Sequence, residues 1–319
     1  MSHQQCLTLS NLALDNTKRS TYDACPRKFY YQHVLGLQPE RGSTALRFGT
    51  TWHGFLEGYY LHIQHHGWKE DGQAIHAGMA KAQSEWNKET ATQHYFDDYR
   101  TFEECCQLFL EYLEFYNHDK GMIEIVQTEQ VFRHTIELTI KETEFFKHIP
   151  GNVDFTGKID LQIKLNGANW IMEHKSTGSQ PSVQATRLNR SAQIQGYSWV
   201  AEHELAAKPE GVLISFASTS ARKSTAKNAA PGTYGKPKRA FLRHPQIFTP
   251  KDYENWRNSF LDTANSIAME LTRNLWPMRQ DNCFQYGQCS YSSLCDQCRP
   301  LDDLNTSWFI FKPWDVEKS

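Results

Sequence analysis

The stretch GNVDFTGKIDLQIKLNGANWIMEHKSTG sets Asp160 ahead of a Glu173-His174-Lys175 run. Two carboxylates and a lysine brought to one place can hold a divalent cation and activate water against a phosphodiester. A D…ExK spacing also arises on ordinary surface hairpins, so the elements that must position these residues decide between the two readings.

Alternation supplies those elements. Val153, Phe155, Ile159, Leu161, Ile163 and Leu165 are apolar at odd positions, while Asp154, Thr156, Lys158, Asp160, Gln162 and Lys164 are polar at even ones. A period of two predicts a strand with Asp160 on its polar face. Asn166-Gly167 is a strong hairpin signal, and WIMEHKS beyond it predicts a second, antiparallel strand. Glu173 and Lys175 are two apart and share a face, from which they can meet Asp160; His174 points the other way. Gly157 marks a bulge or a close backbone approach just before Asp160.

The chain has 319 residues and a formal net charge of -2, with 39% hydrophobic residues. It can bury a sizeable core as one large or two small domains. No apolar run is long enough to span a bilayer, and no secretory leader is visible, so a cytoplasmic location without membrane attachment is the expectation. Overall charge gives no case for nucleic-acid binding, which must rest on local patches. One lies between Glu210 and Asp252, where no acidic residue occurs and Arg222, Lys223, Lys227, Lys236, Lys238 and Arg239 accumulate in a Gly-, Pro- and Ser-rich stretch. It reads as a basic loop that contacts a phosphate backbone, or as a solvated linker.

Eight cysteines without a leader argue against a disulfide framework. Cys283, Cys289, Cys295 and Cys298 crowd into CFQYGQCSYSSLCDQC, and Cys25 stands in YDACPRKFYYQHVLGL. Four thiolates suit a structural zinc or an iron-sulfur cluster, and spacing alone does not separate them. With Cys25 as a ligand, the site would clasp the first helix to the last segment. Cys6, Cys105 and Cys106 lie apart and read as packing residues.

Around these features the helical periodicities are clear. In FGTTWHGFLEGYYLHI, Phe48, Trp52, Phe55, Leu56, Tyr59 and Ile63 recur at three and four residues and predict a buried helix. His53 borders that face, as a core histidine or an imidazole ligand, and Glu57 one turn on can orient it or simply face water. Gln193 and Tyr197 are likewise one turn apart on a helix that follows the Lys175 loop. HIQHHGW reads as an exposed helix end, and the segment from Tyr253 to Trp276 as a long final helix. The span 51–120 is helical in pattern.

Together these segments resemble the RecB-like branch of the PD-(D/E)XK nuclease superfamily, above all its iron-sulfur members: the AddB nuclease domain, the CRISPR-associated RecB-like exonucleases and related phage exonucleases. The likeness runs through STYDACPRKFYYQHVLGL, RFGTTWHGFLEGYY, GKIDLQI, EHKST, SAQIQGYSWV and CFQYGQCSYSSLC. It implies a single α/β nuclease domain over 1–319, with a restriction-endonuclease-like mixed central sheet flanked by helices. Within it are a helical region at 51–120, a sheet core at 122–248 and a cysteine clasp at 283–298 completed by Cys25.

The resemblance implies His53, Asp160, Glu173 and the backbone carbonyl of His174 as ligands of Mg2+ or Mn2+, with Lys175, Gln193 and Tyr197 completing the catalytic set. It implies a 4Fe-4S cluster on Cys25, Cys283, Cys289 and Cys295, with structural zinc as the alternative. The substrate implied is DNA, as single-stranded or duplex ends, attacked by an exonuclease in recombination, repair or CRISPR spacer acquisition beside a partner protein. The alternative from another class is a non-catalytic DNA-end-binding or adaptor protein, which has no need of a correctly spaced lysine. Three departures stand out: Cys298 is one cysteine more than a cluster needs, Ile159 replaces the proline of the motif name, and no proline follows Cys289.

Overall fold

The computed structural model describes residues 7–8, 11–95, 98–138, 151–205, 208–224, 233–285, 287–297 and 303–314. Lys227 and Cys298 lie outside the described residues. In chain order the first elements are β1 (Ala13–Leu14), α1 (Asn16–Ala24), α2 (Pro26–Phe29), β2 (Leu37–Pro39), α3 (Thr44–His66), α4 (Asp71–Thr92), α5 (Phe102–Phe115) and α6 (Asp119–Met122). Next come β3 (Ile123–Glu137), β4 (Asn152–Leu165), β5 (Ala168–Thr177), α7 (Pro181–Leu188), α8 (Ala192–Glu204), β6 (Val212–Ser220) and β7 (Lys238–Gln246). The chain closes with α9 (Pro250–Arg273), α10 (Ser292–Cys295) and β8 (Phe309–Phe311). These elements form two compact units, one of residues 41–130 and 158–250, the other of 1–40, 131–157 and 251–319.

The first of these units is built on a mixed sheet. β4 and β5 are antiparallel, β6 runs parallel to β5, and β7 returns antiparallel to β6. β3 flanks β4 on its other edge. The β4–β5 turn falls on Asn166-Gly167, at φ 51° and 84°. Both residues are left-handed, which is the pair of conformations a two-residue type I′ hairpin requires and Asn-Gly supplies at low cost. β6 is buried from Val212 to Thr219, as expected of a strand covered on both sides.

Helix α3 starts at the Ser43 cap, whose hydroxyl accepts from the Leu46 N–H at 3.4 Å. Phe48, Trp52, Phe55, Leu56, Tyr59 and Ile63 are buried along it, with Phe109 and Tyr112 of α5 and Leu161, Ile163 and Met172 of the sheet in the same core. Each large side chain so buried contributes about 1.5–3 kcal/mol. Helix α4 approaches α3 closely because glycines face each other: a Cβ on Gly58 would lie 2.6 Å from the Ala77 carbonyl oxygen, and one on Gly78 2.7 Å from that of Phe55.

In the other unit β1 lies parallel to the start of β4, pairing Ala13 with Asp154 and Leu14 with Phe155. Phe155 packs on Trp256 and Phe260 of α9, at 5.0 and 5.2 Å between ring centroids. Pro26 opens α2, where its missing N–H costs nothing. Phe29 stacks on Trp276 at 5.8 Å. Tyr291 stacks on Tyr31 at 6.1 Å, and its hydroxyl donates to the Leu37 carbonyl at 2.9 Å. The segment around α10 is thereby fixed to the segment that follows Cys25.

Candidate active site

The β4–β5 register runs from Leu165↔Ala168 at the turn to Leu161↔Met172. Just beyond it, Asp160 Oδ2 accepts the His174 backbone N–H at 2.8 Å. A side chain thus meets the amide that a ladder carbonyl would otherwise satisfy. Asp160, Glu173 and Lys175 come together there.

Glu173 is buried, with 1% of its surface exposed. Its Oε1 accepts from Lys175 Nζ at 2.6 Å and from Gln193 Nε2 at 3.0 Å. Lys175 Nζ also donates to Gln193 Oε1 at 3.0 Å. The other carboxylate oxygen, Oε2, is buried without a hydrogen-bond partner. Gln193 of α8 thus reaches both Glu173 and Lys175. Tyr197, one turn on, is buried in the same helix.

From α3, His53 Nδ1 lies 3.4 Å from Asp160 Oδ1. Glu57 turns to Lys81 instead, at 2.8 Å. A further carboxylate arrives that the sequence did not announce. Glu129 has φ 53° in the middle of β3. That left-handed kink costs a non-glycine residue on the order of 1 kcal/mol and marks a constrained site. Ligand atoms of His53, Glu129 and Asp160 lie within 4.8 Å of one another. Lys158 holds Glu129 Oε2 at 2.7 Å. Alternation in β3 gave no sign of this, because a positive φ at a glutamate leaves no mark on periodicity.

The charges work against one another. Burial raises the Glu173 carboxyl and the nearby Asp160 charge raises it further, so that it titrates at about 7 despite Lys175. Glu129 is pushed up to about 7 for the same two reasons, against the pull of Lys158. Burial would raise Asp160 too, but His53, and then His174 and Lys175, hold it well below the usual carboxylate range. Burial lowers His53, and the Asp160 charge more than restores it. Lys175 is likewise raised, Glu173 and Asp160 outweighing its burial. Carboxylates crowded until two of them titrate at about 7, one with an orphaned oxygen, fit a divalent cation. Among the described residues, His53, Glu129 and Asp160 are the side chains close enough together to hold it.

A family model of the PD-(D/E)XK nuclease superfamily matches residues 16–296. The chain belongs to the PD-(D/E)XK nuclease superfamily. Its mixed sheet flanked by helices is the restriction-endonuclease-like fold of that superfamily, with the D…ExK set on the β4–β5 hairpin. Among solved structures, a proposed exonuclease from Eubacterium rectale is similar at 11% identity and a TM-score of 0.45, over 91% of this chain and 89% of its own. The protein SSO0001 is similar at 15% identity and a TM-score of 0.29, over 68% and 79%. Scores this low add nothing to the family assignment. Comparison with curated proteins gives no match.

In this nuclease the described residues on either side of the basic stretch pair as antiparallel strands. Arg222 and Lys223 leave β6 exposed, Lys236 and Lys238 enter β7 exposed, and Lys223 bridges Tyr234 across the pair. Arg239 is engaged elsewhere. Its guanidinium donates to Glu104 at 2.5 and 2.9 Å and to Glu111 at 2.9 Å, both on α5.

In the other unit Cys25, Cys283, Cys289 and Cys295 are half-buried cysteines outside any disulfide. Burial pushes the Cys295 thiol up to about 11, against the pull of Arg27, and Cys25 and Cys289 add to the rise. Cys283 is raised by burial and then by Cys289 and Cys25. The Cys289 N–H donates to the Cys283 carbonyl at 2.8 Å.

Proposed function

We propose that this nuclease is a Mg2+- or Mn2+-dependent deoxyribonuclease that hydrolyses DNA from its ends. The observation that carries the proposal is Glu173: a buried carboxylate with one oxygen fixed by Lys175 and Gln193 and the other unpartnered beside Asp160. His53, Asp160, Glu173 and the His174 carbonyl would hold the cation. A cation bound there would supply Lewis-acid polarisation of a phosphoryl oxygen and a more acidic water. Lys175 keeps its proton at Nζ through the two carboxylates, and so presents a positive charge and a donor where negative charge develops. Gln193 fixes both Lys175 and Glu173, which sets the lysine's direction at no cost during reaction. Tyr197, buried one turn on, is proposed to complete the set.

Arg222, Lys223, Lys227, Lys236 and Lys238 are proposed to contact the phosphate backbone, whereas Arg239 serves α5. Cys25, Cys283, Cys289 and Cys295 are proposed to hold a 4Fe-4S cluster of structural purpose. The biological setting is recombination, repair or CRISPR spacer acquisition.

The test is cleavage of end-labelled linear DNA and closed circles with added Mg2+ or Mn2+. Linear DNA should be degraded and circles spared. Asp160→Ala, Glu173→Ala and Lys175→Ala should each lower the rate by about 10²–10⁴-fold. Undiminished cleavage by all three folded variants would remove this site from the chemistry. Iron and sulfide analysis after anaerobic purification addresses the clasp, and stoichiometric zinc without iron would reject the cluster.

A further inference from the structure

The paired basic strands carry an aromatic residue at their end. The Ser224 N–H donates to the Thr233 carbonyl at 2.8 Å and the Gly235 N–H to the Arg222 carbonyl at 2.9 Å, so Tyr234 sits in a short ladder continuing β6 and β7. Tyr234 is half-buried, with exposed Arg222, Lys223, Gly235 and Lys236 around it in the ladder. Its ring leans on Tyr99 at 5.3 Å between centroids and 55° between planes. Tyr99 is itself fixed: its hydroxyl donates to the Thr219 carbonyl at 3.0 Å, and the Arg100 guanidinium covers its ring at 4.8 Å. Arg100 is in turn held by Asp98 at 2.5 Å.

This assembly lies beside the catalytic strand. A Cβ on Gly178 would be 3.3 Å from Arg100 Nη2 and 3.5 Å from the Tyr99 hydroxyl. Gly178 is the third residue after Lys175. At a strand rise of about 3.3 Å per residue, that sets the Tyr99–Arg100 prop against the chain about 10 Å along from Lys175. An aromatic ring propped from behind and ringed by cations is the arrangement by which unpaired bases are stacked while their phosphates are neutralised. Paired bases inside a duplex cannot offer their faces to such a ring.

Resting on the nuclease reading above, we propose that Tyr234, propped by Tyr99 and Arg100, is a stacking platform that takes an unpaired base of the substrate strand. The substrate so selected is a single-stranded DNA end or overhang.

The experiment is fluorescence anisotropy in EDTA, so that binding is read without cleavage. The probes are a labelled single-stranded oligonucleotide of about 16 nucleotides, within the range of such sites, and a blunt duplex of equal length. Wild type should prefer the single strand. Tyr234→Leu should weaken single-strand binding about tenfold and leave duplex binding within about twofold, because the lost stacking has no counterpart there. Tyr234→Trp should keep the preference, which separates stacking from any packing role of the tyrosine. Tyr99→Leu should lower the preference by a smaller factor, since it removes the prop and leaves the stacking ring. Equal losses on both probes with Tyr234→Leu, or no loss on either, would overturn the platform. A protein that shows the preference in EDTA yet never cleaves with metal would instead overturn the nuclease reading and leave the platform standing.

Discussion

Two rows of side chains cross the same sheet and carry buried charge on opposite faces. His174, Ser215 and Arg243 pair across β5, β6 and β7, as do Glu173, Ile214 and His244 one residue earlier. On the first face the ions are matched. Both oxygens of Asp119 receive the Arg243 guanidinium at 2.6 Å, Tyr116 lies 3.7 Å from it, and the Tyr112 hydroxyl joins Ser215 at 2.9 Å. On the second face they are not: Glu173 Oε2 has no partner and two carboxylates titrate near neutrality. Burial is similar on both faces, so exposure does not separate structure from function here. The pairing does, because a matched ion pair fixes elements while an unmatched acid is a site held ready for a cation.

The largest effect should come from unmatching the matched face. Arg243→Met leaves Asp119 buried without its partner, and should cost about 3–5 kcal/mol. Urea denaturation of the metal-free protein measures it. The double variant Arg243→Met, Asp119→Leu should recover much of that loss, because a well-packed apolar pair removes the orphan. A single variant as stable as wild type would show that the pair fixes nothing.

The opposite operation on the other face should stabilise. Glu173→Gln removes the charge that burial and Asp160 disfavour, so the metal-free protein should gain about 1–3 kcal/mol while losing metal-dependent hydrolysis. The sign with pH follows. Glu173 is raised from 4.5 to about 7, so between those values the native state binds more protons than the unfolded chain. Its contribution is present at low pH and is lost as pH rises through about 7. Glu129 and His53 are also raised, whereas His174 is lowered and works in the other direction. The difference between wild type and Glu173→Gln isolates one group. That gap should open from pH 5 to pH 8, each value approximate; a gap constant with pH would mean that Glu173 is not raised. Mn2+ titration should release protons at pH near 6 and bind more weakly there than at pH near 8.

How much of this was legible follows from the kind of signal each part leaves. The hairpin, its Asn-Gly turn and helix α3 are periodic or local features, and local rules recover them; Gln193 came from the resemblance, since its spacing alone fits a polar helix face equally well. Glu129 depends on a left-handed residue within a strand, which alternation does not mark. Arg239 sits in a basic run, yet its partners Glu104 and Glu111 come from a helix far earlier in the chain, so charge counted along the sequence assigned it to DNA. Helix α3 begins at Thr44 behind the Ser43 cap, one turn before Phe48 opens its apolar face.

His174 tests the comparison at its finest, since it stands in the row of matched ions next to a residue of the unmatched set. Its imidazole is 2% exposed, lies parallel to Tyr60 at 5.6 Å and 12°, and has no hydrogen-bond partner at either nitrogen. Burial lowers it to about 3, so it stays neutral at working pH. What the site uses is its backbone: the amide that meets Asp160 and the carbonyl proposed for the cation. His174→Phe keeps a planar ring on Tyr60 and removes two polar atoms whose burial is uncompensated. Stability should change by about 1 kcal/mol or less, in the favourable direction, and kcat/KM should stay within a few-fold. A folded His174→Phe protein with activity as low as Lys175→Ala would place the imidazole itself in the chemistry and erase the division between the two faces.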